Sequence, residues 1–148
     1  MVLGIARSQV FDRHLAEDAA QEAFATACER LWSLRDGNRF PQWMGTICRR
    51  IASKMSLLKS RSGPITCEPI AALAADGAVD IKVRQAVEQL SLSAREIVQL
   101  HYFSGRSHDE IGKILGITPQ AVHGRLQRAR RCLLEWLSKN CELETIDE

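Results

Sequence analysis

Apolar residues return along this chain at helical spacing, and no stretch alternates strictly as a half-buried strand would. Val2, Ile5 and Val10 make residues 1–11 read as the end of a helix. Residues 15–34 carry a stripe of Ala16, Ala20, Ala23, Ala27, Leu31 and Leu34, with Phe24 and Trp32 beside it. Glu17, Asp18 and Glu22 are expected in its first two turns, where they suit the positive end of the dipole. Asp36, Gly37 and Asn38 mark a loop, and Pro41 opens a third helix reaching about Lys59. Its apolar face is Met44, Ile47, Cys48, Ile51, Met55 and Leu58. Periodicity then fades over residues 60–79, which read as a linker with room for a short helix at 70–75. Ile81, Val83, Val87 and Leu90 predict the next helix. Ser93 and Glu96 read as a capping box ahead of Ile97, Val98, Leu100, Tyr102 and Phe103, and Ser104-Gly105 stops that helix.

The sharpest pattern runs from Ser107 to Leu137. Ser107 and Glu110 have the spacing of a capping box, and Ile111, Ile114 and Leu115 share one face. Gly116 stands where a left-handed residue ends a helix. Thr118 is placed to cap the next helix and Pro119 suits its first position. Val122, Leu126, Ala129 and Leu133 then form an apolar stripe, while Gln120, His123, Arg125, Gln127, Arg128, Arg130 and Arg131 occupy the other faces. A short capped helix, a glycine turn and a longer basic helix is the pattern of a DNA-reading helix-turn-helix. A basic helical face is ordinarily only a solvated one. Here five Lys or Arg and no acid lie between Glu110 and Glu135, with Gln and His interleaved, which favours phosphate contact and base reading.

Charge is segregated along the 148 residues although the net charge is only +2. Residues 12–36 hold six acids against three bases, residues 37–67 hold six bases and no acid, and residues 135–148 hold five acids and one base. Two basic islands in a nearly neutral chain point to two contacts with a polyanion. In the first island Phe40 and Trp43 lie beside Arg39, Arg49, Arg50 and Lys54, the mixture of rings and cations that single-stranded nucleic acid needs; the alternative is that both rings are core, and Trp43 reads equally well either way. The five cysteines have no C-x-x-C spacing, and Cys28, Cys48 and Cys132 read as small packing residues of a reducing compartment. His14, His101, His108 and His123 are not spaced as ligands, so no metal or other cofactor is expected. No apolar run approaches the ~18 residues of a membrane span, and no signal peptide is visible. No nucleophile constellation or ATP site stands out, so the expectation is a binding protein and not an enzyme.

The order of these parts resembles the small two-domain sigma factors of bacterial RNA polymerase, the extracytoplasmic-function group of the sigma-70 family. AEDAAQEAF, then FPQWMGTICRRIA, then LSLSAREIVQLHYFSG and SHDEIGKILGITPQAVHGRLQRAR carry the resemblance, from about Ala16 to Leu137. It implies an all-α fold of two small helical domains: 1–60 for polymerase and minus-10 binding, a linker at 61–79, a four-helix minus-35 domain at 80–139, and an acidic tail at 140–148. It implies that Asp18, Gln21 and Glu22 dock on the polymerase core. Arg39, Phe40, Trp43, Arg49, Arg50 and Lys54 would recognise the minus-10 element, and Thr118, Gln120, His123, Arg125 and Arg128 the minus-35 element. Partners implied are the polymerase core, promoter DNA and an anti-sigma factor, in the cytoplasm.

Three departures stand out. Members carry a further turn of helix ahead of the position of Val2, so the first domain is expected to be short. Members have Asn and Asp at the positions of Arg50 and Lys54, where two cations should strengthen phosphate contact. Gly124 replaces a common Ser inside the recognition helix, at a cost of roughly 1 kcal/mol against Ala. Two other readings remain open from the residues alone: a stand-alone helix-turn-helix regulator, and a sigma-like chain that binds polymerase or an anti-sigma factor without initiating.

Overall fold

The computed structural model describes residues 1–61 and 77–141, and the described residues fold as helices. They are α1 (Val2–Gln9), α2 (Arg13–Arg30), α3 (Phe40–Arg61), α4 (Gly77–Glu88), α5 (Leu92–Val98), α6 (His108–Leu115) and α7 (Pro119–Cys141). Two 3₁₀ turns, Leu31–Ser33 and Gly37–Arg39, join α2 to α3, and a π turn, Gln99–Phe103, continues α5. The possible helix at 70–75 and the tail beyond Cys141 lie outside the described residues.

Alanine makes the first half close. Ala16, Ala19, Ala20, Ala23 and Ala27 bury one face of α2, which lets α1 and α3 approach its backbone. Ile5 and Ala6 of α1 and Met44, Cys48 and Ala52 of α3 fill the space between. The stripe stops at Ala27: Leu31 is 53% exposed because the chain tightens into a 3₁₀ turn there and leaves the helical register. Asp12 caps α2, accepting from Leu15 N–H at 3.0 Å and pairing with Lys59 of α3. The helix therefore starts earlier than its acidic run, and Glu17 pairs with Arg13 at 2.9 Å.

The capping of α5 also differs from the sequence reading. Ser91, not Ser93, is the cap, with its hydroxyl accepting from Ala94 N–H at 3.4 Å. Glu96 is thereby released from capping, lies buried, and turns to α3 instead. Of the expected packing cysteines, Cys48 is buried and Cys28 and Cys132 are exposed.

The buried apolar cluster runs through both halves of the chain. Val2, Ile5, Met44 and Cys48 belong to the same cluster as Ile97, Leu100, Ile111, Ile114, Val122 and Leu126. A second cluster joins Val87 and Leu90 of α4's end to Val98 and Ala129. Arg95 stitches the helix ends together: its buried guanidinium donates to Ser8 O at 3.3 Å, Glu88 O at 3.0 Å and Leu90 O at 3.2 Å. It also lies 4.2 Å from the ring centre of Phe11. Carbonyls at helix C-terminal ends are where a cation is best placed.

Candidate nucleic-acid interface

The helix-turn-helix is built as its sequence indicates. Ser107 Oγ accepts from Glu110 N–H at 3.2 Å, and Glu110 Oε2 accepts from Ser107 N–H at 2.9 Å. Arg106 adds a 2.8 Å bond to the same carboxylate. The Ser107 backbone bond first, and Arg106 next, hold the Glu110 carboxyl down at about 2. Gly116 turns the chain at φ +69°, and Ile117 N–H closes the turn on Gly112 O at 3.0 Å. Thr118 Oγ1 accepts from Ala121 N–H at 3.2 Å as α7 begins. Val122, Leu126 and Ala129 are buried, which fixes which side of α7 faces out.

On that outer side Thr118, Gln120, His123 and Arg128 are exposed, and Arg125 is half-buried on the flank. Arg128 Nε rests on its own helix, donating to Gly124 O at 3.3 Å. Gln127 and Arg131 are also exposed, and they follow Gln120 at i+7 and i+11. That row follows directly from the 3.6-residue period. The His123 ring lies 5.6 Å from that of His108, which lies 5.2 Å from that of His101. Residues 101, 108 and 123 share no sequence spacing, so only the fold brings them into one column. Among the described residues no group of His, Cys, Asp or Glu is placed to hold a metal ion.

A second basic feature opens beside the start of α3. An open cleft of about 730 Å³ is lined by Arg30, Ser33, Leu34, Arg35, Asp36, Arg39, Gln42, Trp43, Thr46, Ile47 and Arg50. Four arginines surround one acid, and Asp36 is held near Arg39 at 3.9 Å. Phe40 sets its ring 6.1 Å from that of Trp43, tilted by 40°. Arg39, Trp43 and Arg50 thus line one cleft, with Phe40 beside them and Lys54, exposed, a turn beyond Arg50. Arg30, Arg35, Gln42 and Thr46 were missed. The signal for two of them was the i, i+4, i+8 row of Gln42, Thr46 and Arg50 on one helical face.

Arg49 does not line this cleft, contrary to expectation. One residue step rotates it by about 100° from Arg50 and points it inward. Its Nε donates to both Glu96 oxygens at 2.9 and 3.0 Å, and its Nη2 lies 2.8 Å from Oε1.

The third surface is on α2. Asp18, Gln21 and Glu22 are exposed on one face. Phe24, expected to pack, is 55% exposed, and Trp32 is 86% exposed just past the helix end. Uncovered rings beside a polar face are the usual composition of a protein-docking surface. No described helix is long and apolar enough to cross a membrane.

The family described as "Sigma-70, region 4" matches residues 80–133. The chain is 31% identical to RNA polymerase sigma factor CarQ of Myxococcus xanthus, over 97% of this chain and 86% of that protein. It is 34% identical to the probable RNA polymerase sigma factor RfaY of Xanthomonas campestris, over 87% of this chain but only 36% of the relative's length. It is 26% identical to RNA polymerase sigma-H factor of Pseudomonas aeruginosa, over 89% of this chain and 78% of that protein. Among solved structures, its fold is similar to the sigma factor RpoE of Bartonella quintana, crystallised with the anti-sigma factor NepR. That match has a TM-score of 0.63, 24% identity, and covers 99% of this chain and 91% of the other.

Proposed function

Since the chain belongs to the sigma-70 family of RNA polymerase sigma factors, in its extracytoplasmic-function group, we propose that it brings the polymerase core to promoters by gripping two DNA elements. The observation that supports this best is the presence in one chain of two unlike nucleic-acid surfaces. One is a capped helix-turn-helix whose outer row is Gln120, Gln127 and Arg131. The other is a cleft of four arginines with the Trp43 ring in its wall.

The two surfaces suit two states of DNA. A rigid helix presenting Gln and Arg reads base edges in the major groove of a duplex, each good bidentate pair contributing ~1–3 kcal/mol of discrimination. A concave basic cleft with an aromatic wall suits a base drawn out of the stack, since stacking of ~1–3 kcal/mol per base offsets much of the cost of opening a step. In this reading residues 80–139 bind the minus-35 element, and residues 1–60 bind the minus-10 element through Arg39, Phe40, Trp43, Arg50 and Lys54. Arg30, Arg35, Gln42 and Thr46 join that set, while Arg49 acts structurally. Asp18, Gln21 and Glu22, with the rings of Phe24 and Trp32, dock on the polymerase core. An anti-sigma factor controls the protein in the cytoplasm, and the chain performs no catalysis of its own. None of these surfaces needs a metal or cofactor.

The test is transcription of a genomic fragment library by purified core polymerase with and without the protein, followed by mapping of start sites. Defined starts that share upstream elements support the reading. Polymerase binding without transcripts favours an interaction protein, and sequence-specific DNA binding without polymerase favours a stand-alone regulator.

A further inference from the structure

Two glycines of the helix-turn-helix are required by the fold around them, and a third is not. At Gly112 the turn backbone lies 2.7 Å from where a β-carbon would stand, and Gly116 needs its left-handed φ of +69°. Gly124 has neither need. It lies inside α7 without a positive φ, and nothing lies within 4 Å of a β-carbon added there. Alanine would fit and would strengthen the helix, since glycine inside a helix loses more chain freedom on folding. The chain's own packing therefore does not call for glycine at this position.

Its place on α7 says what it meets. Val122 and Leu126 are buried, and Gly124, two residues from each, lies about 200° round the helix from both, on the side farthest from the core. Gln120 stands one turn before it and Gln127 and Arg128 one turn after, all three exposed. The result is a notch in the middle of the outer row, flanked by two amides and a guanidinium. Its floor is apolar. The Gly124 carbonyl accepts from Arg128 Nε at 3.3 Å and, as an interior helix carbonyl, from the backbone, which leaves Cα hydrogens facing out. A helix about 10–12 Å across fills a major groove about 12 Å wide, so a side chain missing from its leading edge lets the backbone come closer to the bases.

We propose that Gly124 sets specificity: its notch receives the C5-methyl group of a thymine while Gln120 or Gln127 reads the edge of a neighbouring adenine. The proposal deepens the sigma reading above and rests on it. The thymine methyl is the only alkyl group on the major-groove edge of the bases, and a floor with no free donor or acceptor suits it better than any amino or carbonyl group. Glutamine amides match N6 and N7 of adenine, so the same stretch of helix favours A·T pairs. A β-carbon at position 124 would occupy the space of the methyl. Glycine is kept there at a cost to the helix because the base needs the room.

A cycle of protein and DNA changes tests this, using the full chain assembled with core polymerase on a fragment mapped above. Each thymine of the minus-35 element, on either strand, is replaced in turn by deoxyuridine, which removes one methyl group and leaves pairing and phosphates unchanged. With the unmodified protein one replacement should weaken binding about fourfold, the contribution of one buried methyl group. Gly124→Ala should melt higher than the unmodified protein yet bind the thymine fragment roughly tenfold less tightly, with its salt slope unchanged because no phosphate contact is lost. Deoxyuridine at that same position should restore most of the loss, so that the two changes together cost far less than their product. Independent effects of the two changes at every position overturn the inference, as does a Gly124→Ala protein that binds as tightly as the original or weakens on all sequences equally. Transcripts are measured on the same fragments. Transcripts with independent effects overturn this inference alone, whereas no transcripts from the unmodified protein overturn the sigma reading and the inference together.

Discussion

Arg49 and Glu96, 47 residues apart, meet at 2.8 Å with the carboxylate only 6% exposed. Removing the cation leaves a buried carboxylate with no counter-charge, and that is costlier than the pair's net contribution. Arg49→Ala should destabilise the protein by about 2 kcal/mol, discounted from the fully buried case because Arg49 is partly wet. Glu96→Gln should cost about 1 kcal/mol, since an amide still accepts one bond. Urea unfolding checks both, and an Arg49→Ala midpoint indistinguishable from wild type would show that the pair is not formed in solution.

Acid should act on the helix-turn-helix through Glu110. Its folded carboxyl is depressed to about 2 from an ordinary 4.5. A depressed carboxyl stabilises the fold above its unfolded value and loses that contribution as pH falls through the folded one. The melting-temperature gap between wild type and Glu110→Gln should therefore hold above about pH 5 and close between about pH 4.5 and pH 2. Asp12, lowered chiefly by its bond from Lys59, moves stability the same way, so Glu110→Gln will still lose stability in acid. Ser107→Ala removes the reciprocal cap and should cost about 1 kcal/mol near neutral pH.

Three glycines to alanine should give three different results. At Gly112 a β-carbon would lie 2.7 Å from Ile117 O, a backbone atom of the turn that cannot swing aside, so the loss should be about 2 kcal/mol. At Gly116 the left-handed backbone costs about 1 kcal/mol, and the Gln42 amide in the way can swing aside. At Gly124 nothing lies within 4 Å, so alanine should stabilise by up to ~1 kcal/mol through helix propensity. Thermal melts of the three variants give the order directly.

On DNA, Gln120→Ala should relax preference at one base pair, at ~1–3 kcal/mol for that position, with little change elsewhere. Arg131→Ala and Arg128→Ala should weaken binding to all sequences and lower the salt slope by about one each. Binding titrations across a range of salt, on duplexes varied one pair at a time, separate the two behaviours; a salt slope untouched by Arg128→Ala removes that residue from the interface.

Thiol reactivity should split by burial. Burial above all, with Glu96 nearby, pushes the Cys48 thiol up to about 11, while Cys28 and Cys132 are exposed. At about pH 8 little Cys48 thiolate is present, and only thiolate reacts. Peptide mapping after brief alkylation should find Cys28 and Cys132 modified and Cys48 spared until urea unfolds the chain. Equal modification of Cys48 would mean that α3 is not packed against α1.

The element most legible in the sequence was the helix-turn-helix. Ser107, Glu110, Gly116 and Thr118 act through bonds that close within a few residues, so their spacing states their geometry. The α5 cap was less legible because Ser91 and Ser93 both offer a hydroxyl. Neighbouring packing, with Glu96 drawn to Arg49, selects Ser91. The cleft was half legible: its cations lay in one basic island, but which of Arg49 and Arg50 faces out depends on where α3 finds its core.

What the sequence by itself determined is therefore the local and periodic part of this protein. It specified helices with no competing strands, the turn at Gly116, the outward row of α7, and two basic islands that both follow an acidic helix. Hydrogen bonds and apolar stripes with short repeat distances need nothing beyond neighbouring residues. Tertiary structure alone decided that Arg49 turns inward, that His101, His108 and His123 form one column, and that Gln42 packs on Gly116. Those contacts join residues from 7 to 74 positions apart. They exist only because Ala-lined α2 lets α1 and α3 close up, and because α1 then carries Ile5 into the core beneath α5 and α6. Periodicity along one helix contains no information about which other helix it will meet.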